Sequence, residues 1–172
     1  PRASELQIRE AREDEYAAVG DLTVAGYDAD GYLTFPDGTF DDAYAEWLRD
    51  AAPRGRHSVL LVAEDEGDLL GTITWCPPGS PDRELAIANT QGEFRTLSIA
   101  AHARQRGIGR ALVGECFNRA RAADLTEMML CSLLEMEPAH RLYESFGFVR
   151  RPELDRVPEP GVILWAFSAP VA

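Results

Sequence analysis

The segment "EFRTLSIAAHARQRGIGRAL", Glu93 to Leu112, constrains the fold more than any other part of the chain. Residues 93–100 read as a strand, and Gly107 with Gly109 interrupts the chain before a helix predicted over about 107–123. Ile108, Leu112, Cys116 and Ala120 recur at every fourth position and mark one buried face of that helix. A strand that ends in a glycine turn and passes directly into an amphipathic helix belongs to a sheet with helices on its faces. The same turn carries Arg104, Arg106 and Arg110 in a chain of formal net charge -12. The first N–H groups of a helix have no partner within it, the helix dipole adds about half a positive charge there, and arginine can donate two hydrogen bonds to one phosphate. Residues 104–110 are therefore an anion site, and Gly107 and Gly109 let the anion approach the backbone closely.

The remaining segments extend the same pattern. Residues 6–12 alternate as a strand, and a helix is expected from about Glu13 to Ala25. The stretch 26–40, rich in Gly, Asp and aromatic residues, reads as a functional or mobile loop before a second helix, "DDAYAEWLRDA". Apolar runs at 58–64 and 69–76 around an Asp/Glu/Gly turn predict a hairpin, and the prolines and glycine of 77–92 predict a loop. A buried strand at 127–132 and a short helix at 138–148 follow, then two strands in "FVRRPELD" and "GVILWAFSA". The predicted order is β-α-α-β-β-β-α-β-α-β-β: a mixed, mostly antiparallel sheet flanked by helices, of the α+β or α/β class, in one domain over 1–172.

Charge and composition exclude several functions. All 17 basic residues are arginine, which removes a Walker A phosphate loop and any lysine Schiff base. Residues 1–50 hold 13 acids against 4 arginines, whereas 101–124 hold 5 arginines against 2 acids. Nucleic acid is thus not expected as a partner of the surface, while an anion is expected at one locus. The chain lacks both the roughly 20-residue apolar run of a membrane span and a secretion signal at "PRASELQIRE", so a cytoplasmic location and no membrane partner are expected. Cys76, Cys116 and Cys131 have no metal-ligand spacing and read as core residues, so no metal is expected; a nucleophilic Cys131 is the alternative.

Spacing narrows the anion. A dinucleotide fingerprint would need glycine where Leu112 stands. The pattern from Arg104 through Gly107 to Gly109, R-x-x-G-x-G directly after a strand, resembles the pyrophosphate loop of the GNAT N-acetyltransferase superfamily, whose motif is Q/R-x-x-G-x-G/A and whose ligand is acyl-coenzyme A. Downstream, "AHRLYESFGF" resembles the family's A-x-x-L-Y-E-x-x-G-F segment. The resemblance is strong over 93–148, with Ala101 standing where proline is common.

The resemblance implies an enzyme moving an acetyl group from acetyl-coenzyme A to a small-molecule or peptide amine by direct attack; a homodimer is the candidate assembly. Main-chain atoms of Leu97, Ser98 and Ile99 would meet the pantetheine arm, though their side chains read equally as core and sheet surface. Backbone N–H groups of Arg104, Gln105, Arg106, Gly107, Ile108, Gly109 and Arg110 would take the pyrophosphate. The Arg104 and Arg106 side chains would be phosphate neighbours or solvated. Tyr143 falls at the family's general acid, a phenol of ordinary pKa about 10 facing a thiol-type leaving group near 8.5; a core tyrosine is the plainer reading. Glu93 falls where some members carry a base, and reads as well as a surface charge, with a water chain doing the same work. Met136 stands where many relatives have asparagine, which keeps a non-catalytic acyl-coenzyme A-binding module in view. A purely structural anion site at 104–110 is a third reading. Asp28, Asp30 and Asp37, among Tyr27, Tyr32, Phe35 and Phe40, suit a cationic acceptor or simply a solvated acidic loop.

Overall fold

The computed structural model describes residues 6–172. The first five, part of the start searched above for a secretion signal, lie outside it. The chain forms two compact units: residues up to Thr74 with Thr96–Glu115, and Trp75–Arg95 with Cys116–Ala172.

In the first unit β1 (Gln7–Glu10) pairs antiparallel with β2 (Val59–Asp65), from Gln7 opposite Glu64 to Glu10 opposite Leu61. Between them lie a 3-10 turn at Glu13–Glu15 and three helices, α1 (Tyr16–Ala29), α2 (Asp42–Arg49) and α3 (Ala52–His57). The strand β3 (Asp68–Cys76) follows β2 through a turn in which Glu66 and Gly67 take positive φ. β2 reads as an almost unbroken apolar run because both of its faces are buried. Leu60 and Val62 join Val19 of α1 and Ala51 in one cluster, and by alternation Leu61 and Ala63 face the other way. At Gly71 of β3 a Cβ would come within 2.8 Å of Ile108 and 3.2 Å of Leu112, so the start of the helix after the glycine loop packs tightly there. That helix is α4 (Ile108–Ala122), and the strand before it is β4 (Gln91–Ile99).

In the second unit the start of β4 pairs in parallel with β5 (Glu127–Leu133) over Gln91–Glu93 only. β5 pairs antiparallel with β8 (Val162–Pro170) along seven residues, and β8 also carries β6 (Val149–Arg150) and β7 (Arg156–Glu159). The helix α5 (Glu137–Ser145) has Pro138 in its first turn, and Gly147 takes φ 93° just beyond its end. Phe94, Phe117, Tyr143, Phe146, Phe148 and Phe167 form the aromatic core, with ring centroids 5.4–6.3 Å apart.

The expected order needs two corrections: three helices, not two, separate β1 from β2, and three strands, not two, follow α5. α3 contains Pro53 and Gly55 and looks like a break in the sequence. Its Arg54, 3% exposed, donates to the carbonyls of Trp47, Leu48 and Asp50 and thereby caps α2. Gly55 lies where a Cβ would strike the Tyr16 ring at 2.3 Å, so contact with α1 dictates this helix. Among the described residues no helix is long and apolar enough to cross a membrane.

Candidate active site

The glycine loop lies in the first unit. Gln105 and Gly107 both adopt left-handed backbone, at φ 64° and 76°, and Ile108 begins α4. A Cβ built on Gly107 meets nothing within 4 Å, so the space over this turn is open. The first N–H groups of α4, from Ile108 onward, have no acceptor within the helix and carry its positive dipole end. The two favoured arginines have protein partners. Arg104 donates from Nε to the Ile99 carbonyl at 3.1 Å and pairs with Asp30 at 2.9 Å, while Arg106 pairs with Asp65 at 2.5 Å. Charge at this turn is thus balanced locally, and the backbone is what it presents.

The strand feeding the loop is irregular. Thr96 takes φ 54° inside β4, a marked outlier for a β-branched residue, and its hydroxyl bonds that of Thr74 at 2.6 Å. The expected regular strand over 93–100 carries no signal of this kink, since threonine is an ordinary strand residue. Beyond it Leu97 and Ile99 are half-buried and Ser98 is buried. The Ser98 hydroxyl donates to the Thr23 carbonyl of α1 at 3.1 Å, and the Ile99 carbonyl accepts from Arg104.

In the second unit Glu93 is 1% exposed, so it is not a surface charge. Its carboxylate accepts the N–H groups of Glu84, Leu85 and Ala86 at 2.8–3.0 Å. Burial raises its pKa above the usual carboxylate range, against the pull of those three N–H groups and of Arg95. Gln91 completes the loop by accepting from Ile87 and Ala88. The neighbour Phe94 points to the opposite face of β4, where its ring meets Tyr143 at 5.7 Å. Tyr143 is 5% exposed and also packs on Phe148 and Phe167, so it belongs to the aromatic core whatever its chemistry.

Met136 is the residue before α5, and its sulfur lies 3.5 Å from the Ser132 hydroxyl that donates to it. His140 Nε2 lies 3.0 Å from both Ser132 Oγ and the Leu133 carbonyl, and its ring stacks on Trp165. Burial lowers its pKa and holds the imidazole neutral. Cys76 and Cys116 are buried; the Cys131 thiol, half-buried, is pushed up to about 12, first by burial and then by Glu93 and Glu84. A thiol with that pKa remains protonated at neutral pH and is a poor nucleophile. Among the described residues no group of three or more His, Cys, Asp or Glu could hold a metal ion.

Residues 26–40, expected as a loop, are partly helix and partly a hydrogen-bonded tongue that closes at Asp41. α1 runs on to Ala29, carrying Tyr27 and Asp28 with it. Thr34 bridges Phe40, and Asp37 accepts from both the backbone and the hydroxyl of Thr39. Tyr32, Tyr27, Tyr44 and Trp47 form a chain of rings 5.9–6.2 Å apart, ending in a Tyr44–Trp47 stack whose Trp47 is 39% exposed.

Comparison with known proteins agrees with this arrangement. The family model described as "Acetyltransferase (GNAT) family" matches residues 17–148. An uncharacterized N-acetyltransferase of Schizosaccharomyces pombe is 32% identical over 132 residues, spanning 76% of this chain and 74% of that protein. N-acetyltransferase family 8 member 3 of Rattus norvegicus is 31% identical over 97 residues, and there the match spans only 41% of the relative's length. Among solved structures, YncA of Salmonella typhimurium with its cofactor acetyl-CoA superposes at a TM-score of 0.66 and 18% identity, over 98% of this chain and 95% of that one. A GNAT-family acetyltransferase from Staphylococcus aureus Mu50 superposes at a TM-score of 0.73 and 13% identity, over 98% and 100% of the two chains. The strand–glycine turn–helix unit, the fold around it and a family match over most of the chain lead to one conclusion: this protein belongs to the GNAT acetyltransferase family.

Proposed function

We propose that the chain is an N-acetyltransferase that moves an acetyl group from acetyl-coenzyme A to a primary amine by direct attack. The observation carrying this reading is the glycine turn itself. Its left-handed residues, the open space over Gly107 and the start of α4 fit the pyrophosphate of coenzyme A, with the backbone of 104–110 as donors. Main-chain atoms of Leu97, Ser98 and Ile99 would hold the pantetheine arm. When bound, acetyl-coenzyme A supplies an activated thioester carbon.

Tyr143 serves as the proton donor: as the amine nitrogen bonds to the acyl carbon and the carbon–sulfur bond breaks, the phenol proton goes to sulfur. Glu93, with its raised pKa, takes the amine proton directly or through water. A protonated Cys131 supports direct transfer over an acetyl-cysteine route. The acceptor class drawn from residues 26–50 is a cationic amine, supported by the acidic excess of that segment.

The decisive measurement is release of free thiol from acetyl-coenzyme A across a panel of polyamines, amino acids, aminoglycosides and peptides. Tyr143→Phe is expected to lower turnover on the order of 100-fold while coenzyme A binding is kept. An unchanged rate removes Tyr143 from the chemistry. Coenzyme A at 100 times its dissociation constant should stabilise the fold by about 2.7 kcal/mol. Such protection without thiol release on any amine would favour a non-catalytic binding module.

A further inference from the structure

Arg104 has a job that phosphate binding does not explain. All three of its nitrogens are directed at the chain's own oxygens: Nε at the Ile99 carbonyl, one Nη at both oxygens of Asp30 at 2.9 and 3.1 Å, and the other at the Gly26 carbonyl at 3.3 Å. Gly26 lies in the last turn of α1, where the Tyr27 and Asp28 carbonyls are met by the N–H groups of Asp30, Gly31 and Tyr32, and Arg104 adds a side-chain donor for the Gly26 carbonyl. Two further observations place the end of α1 against β4. A Cβ on Gly26 would fall 2.0 Å from Ser98 Oγ and 3.0 Å from the Ile99 carbonyl, and Ser98 donates into the same helix at Leu22 and Thr23. Directly after this turn comes the tongue of residues 31–41, tied to itself by the Thr34–Phe40 bridge and the Asp41 N–H to Leu33 carbonyl bond.

We infer that Arg104 is a positioning residue that couples the glycine loop to the 26–41 segment, rather than a phosphate ligand. Its backbone is the first residue of the loop, and its side chain grips the turn from which the tongue departs. Ordering of 104–110 around an anion therefore fixes the guanidinium, and the guanidinium fixes Gly26 and Asp30. By linkage the effect is reciprocal: what stabilises the tongue also strengthens binding at the loop. This rests on the reading of 104–110 as a coenzyme A site and adds to it a path by which cofactor occupancy prepares the acceptor segment.

The test uses the whole chain and coenzyme A as the probe, with amide hydrogen exchange of peptides covering 24–41 and calorimetric binding of coenzyme A measured in parallel. In the unaltered protein, saturation with coenzyme A should slow exchange of 24–41 by about tenfold, within the usual coupling range. Asp30→Asn, at an exposed position outside the loop, should remove most of that protection and speed exchange of the last α1 turn in the ligand-free protein. Its coenzyme A affinity should fall only by the coupling factor. Arg104→Gln should do the same. The inference is overturned if Asp30→Asn keeps the full protection of 24–41. It is also overturned if coenzyme A binds the unaltered protein without protecting that segment, or if Arg104→Gln abolishes binding while Asp30→Asn changes nothing. If coenzyme A does not bind the unaltered protein at all, the proposed function falls and this inference with it, a result the binding measurement separates from loss of coupling alone.

Discussion

Before β4, residues 84–88 turn five successive N–H groups onto two side chains of that strand, three onto Glu93 and two onto Gln91. After β4, residues 104–110 turn two guanidiniums outward onto Asp30 and Asp65 and present a left-handed backbone at the start of α4. Both segments are irregular, glycine or proline rich in their surroundings, and attached to the same strand. The first is an anion site already filled by the chain's own carboxylate, so it is closed to any outside anion. The second has its arginines anchored on acids at its margins, which leaves the backbone to receive a ligand. A buried carboxylate among N–H groups and an open turn at a helix start look alike as hydrogen-bonding chemistry, yet the first holds one of the chain's own carboxylates in place and the second leaves its donors to a ligand.

The largest effect that could break this contrast is on stability. Glu93→Ala should destabilise the fold by about 3 kcal/mol, as read by urea denaturation, since the buried Ala86 N–H loses its acceptor at about 1–3 kcal/mol and the part-buried bonds from Glu84 and Leu85 are lost with it. A variant as stable as the parent would mean that the 84–86 amides do not depend on Glu93, and the first loop would lose its claim to be a filled site. Next comes a matched pair. Gly107 and Gly79 both hold positive φ with open space at the Cβ position, so valine at either should cost about 1–2 kcal/mol. Only Gly107→Val should also weaken coenzyme A binding, by about tenfold or more, equivalent to about 1.4 kcal/mol. Equal effects of the two variants on affinity would erase the difference between the loops.

The smallest effect is in the pH dependence of the two units that carry these loops. Glu15, hydrogen-bonded to Arg9, has its folded pKa lowered from 4.5 to about 2. Its contribution is therefore complete above 4.5 and is lost as the pH falls toward 2. His140, held neutral by burial, has a folded pKa below its ordinary 6.5, so its contribution is complete above 6.5 and begins to be lost just below that value. Acid should thus weaken the second unit first. His140→Asn should flatten the upper limb of an unfolding-against-pH curve and Glu15→Gln the lower one; a single limb untouched by His140→Asn would contradict this order.

Much of the molecule was legible because its signals are local. The hairpin at β2 and β3, the strand at β5 and the helix at α4 appear within a residue or two of their expected bounds, since apolar spacing and glycine turns act over a few residues. α3 escaped notice for the opposite reason: a segment containing Pro53 and Gly55 has little helical preference of its own, and Arg54 and Tyr16 hold it from elsewhere in the chain. Met136 left asparagine's role open in the sequence, and the structure gives its sulfur to Ser132. The sequence leaves Glu93 open between a base and a surface charge, and its burial under three amides comes from residues 84–86, outside the strand on which it lies.

The strand, the glycine turn and the helix that follow one another from Glu93 to Ala122, and with them the family, are written in the order of the residues, because periodicity and turn chemistry are properties of neighbours. What the charges there are for is set by packing between distant segments. Arg104 meets an aspartate 74 residues away and Arg106 one 41 residues away, and which acid reaches which arginine depends on how distant segments pack. A guanidinium is identical in sequence whether it grips a phosphate or caps a helix, and its partner is set by the fold.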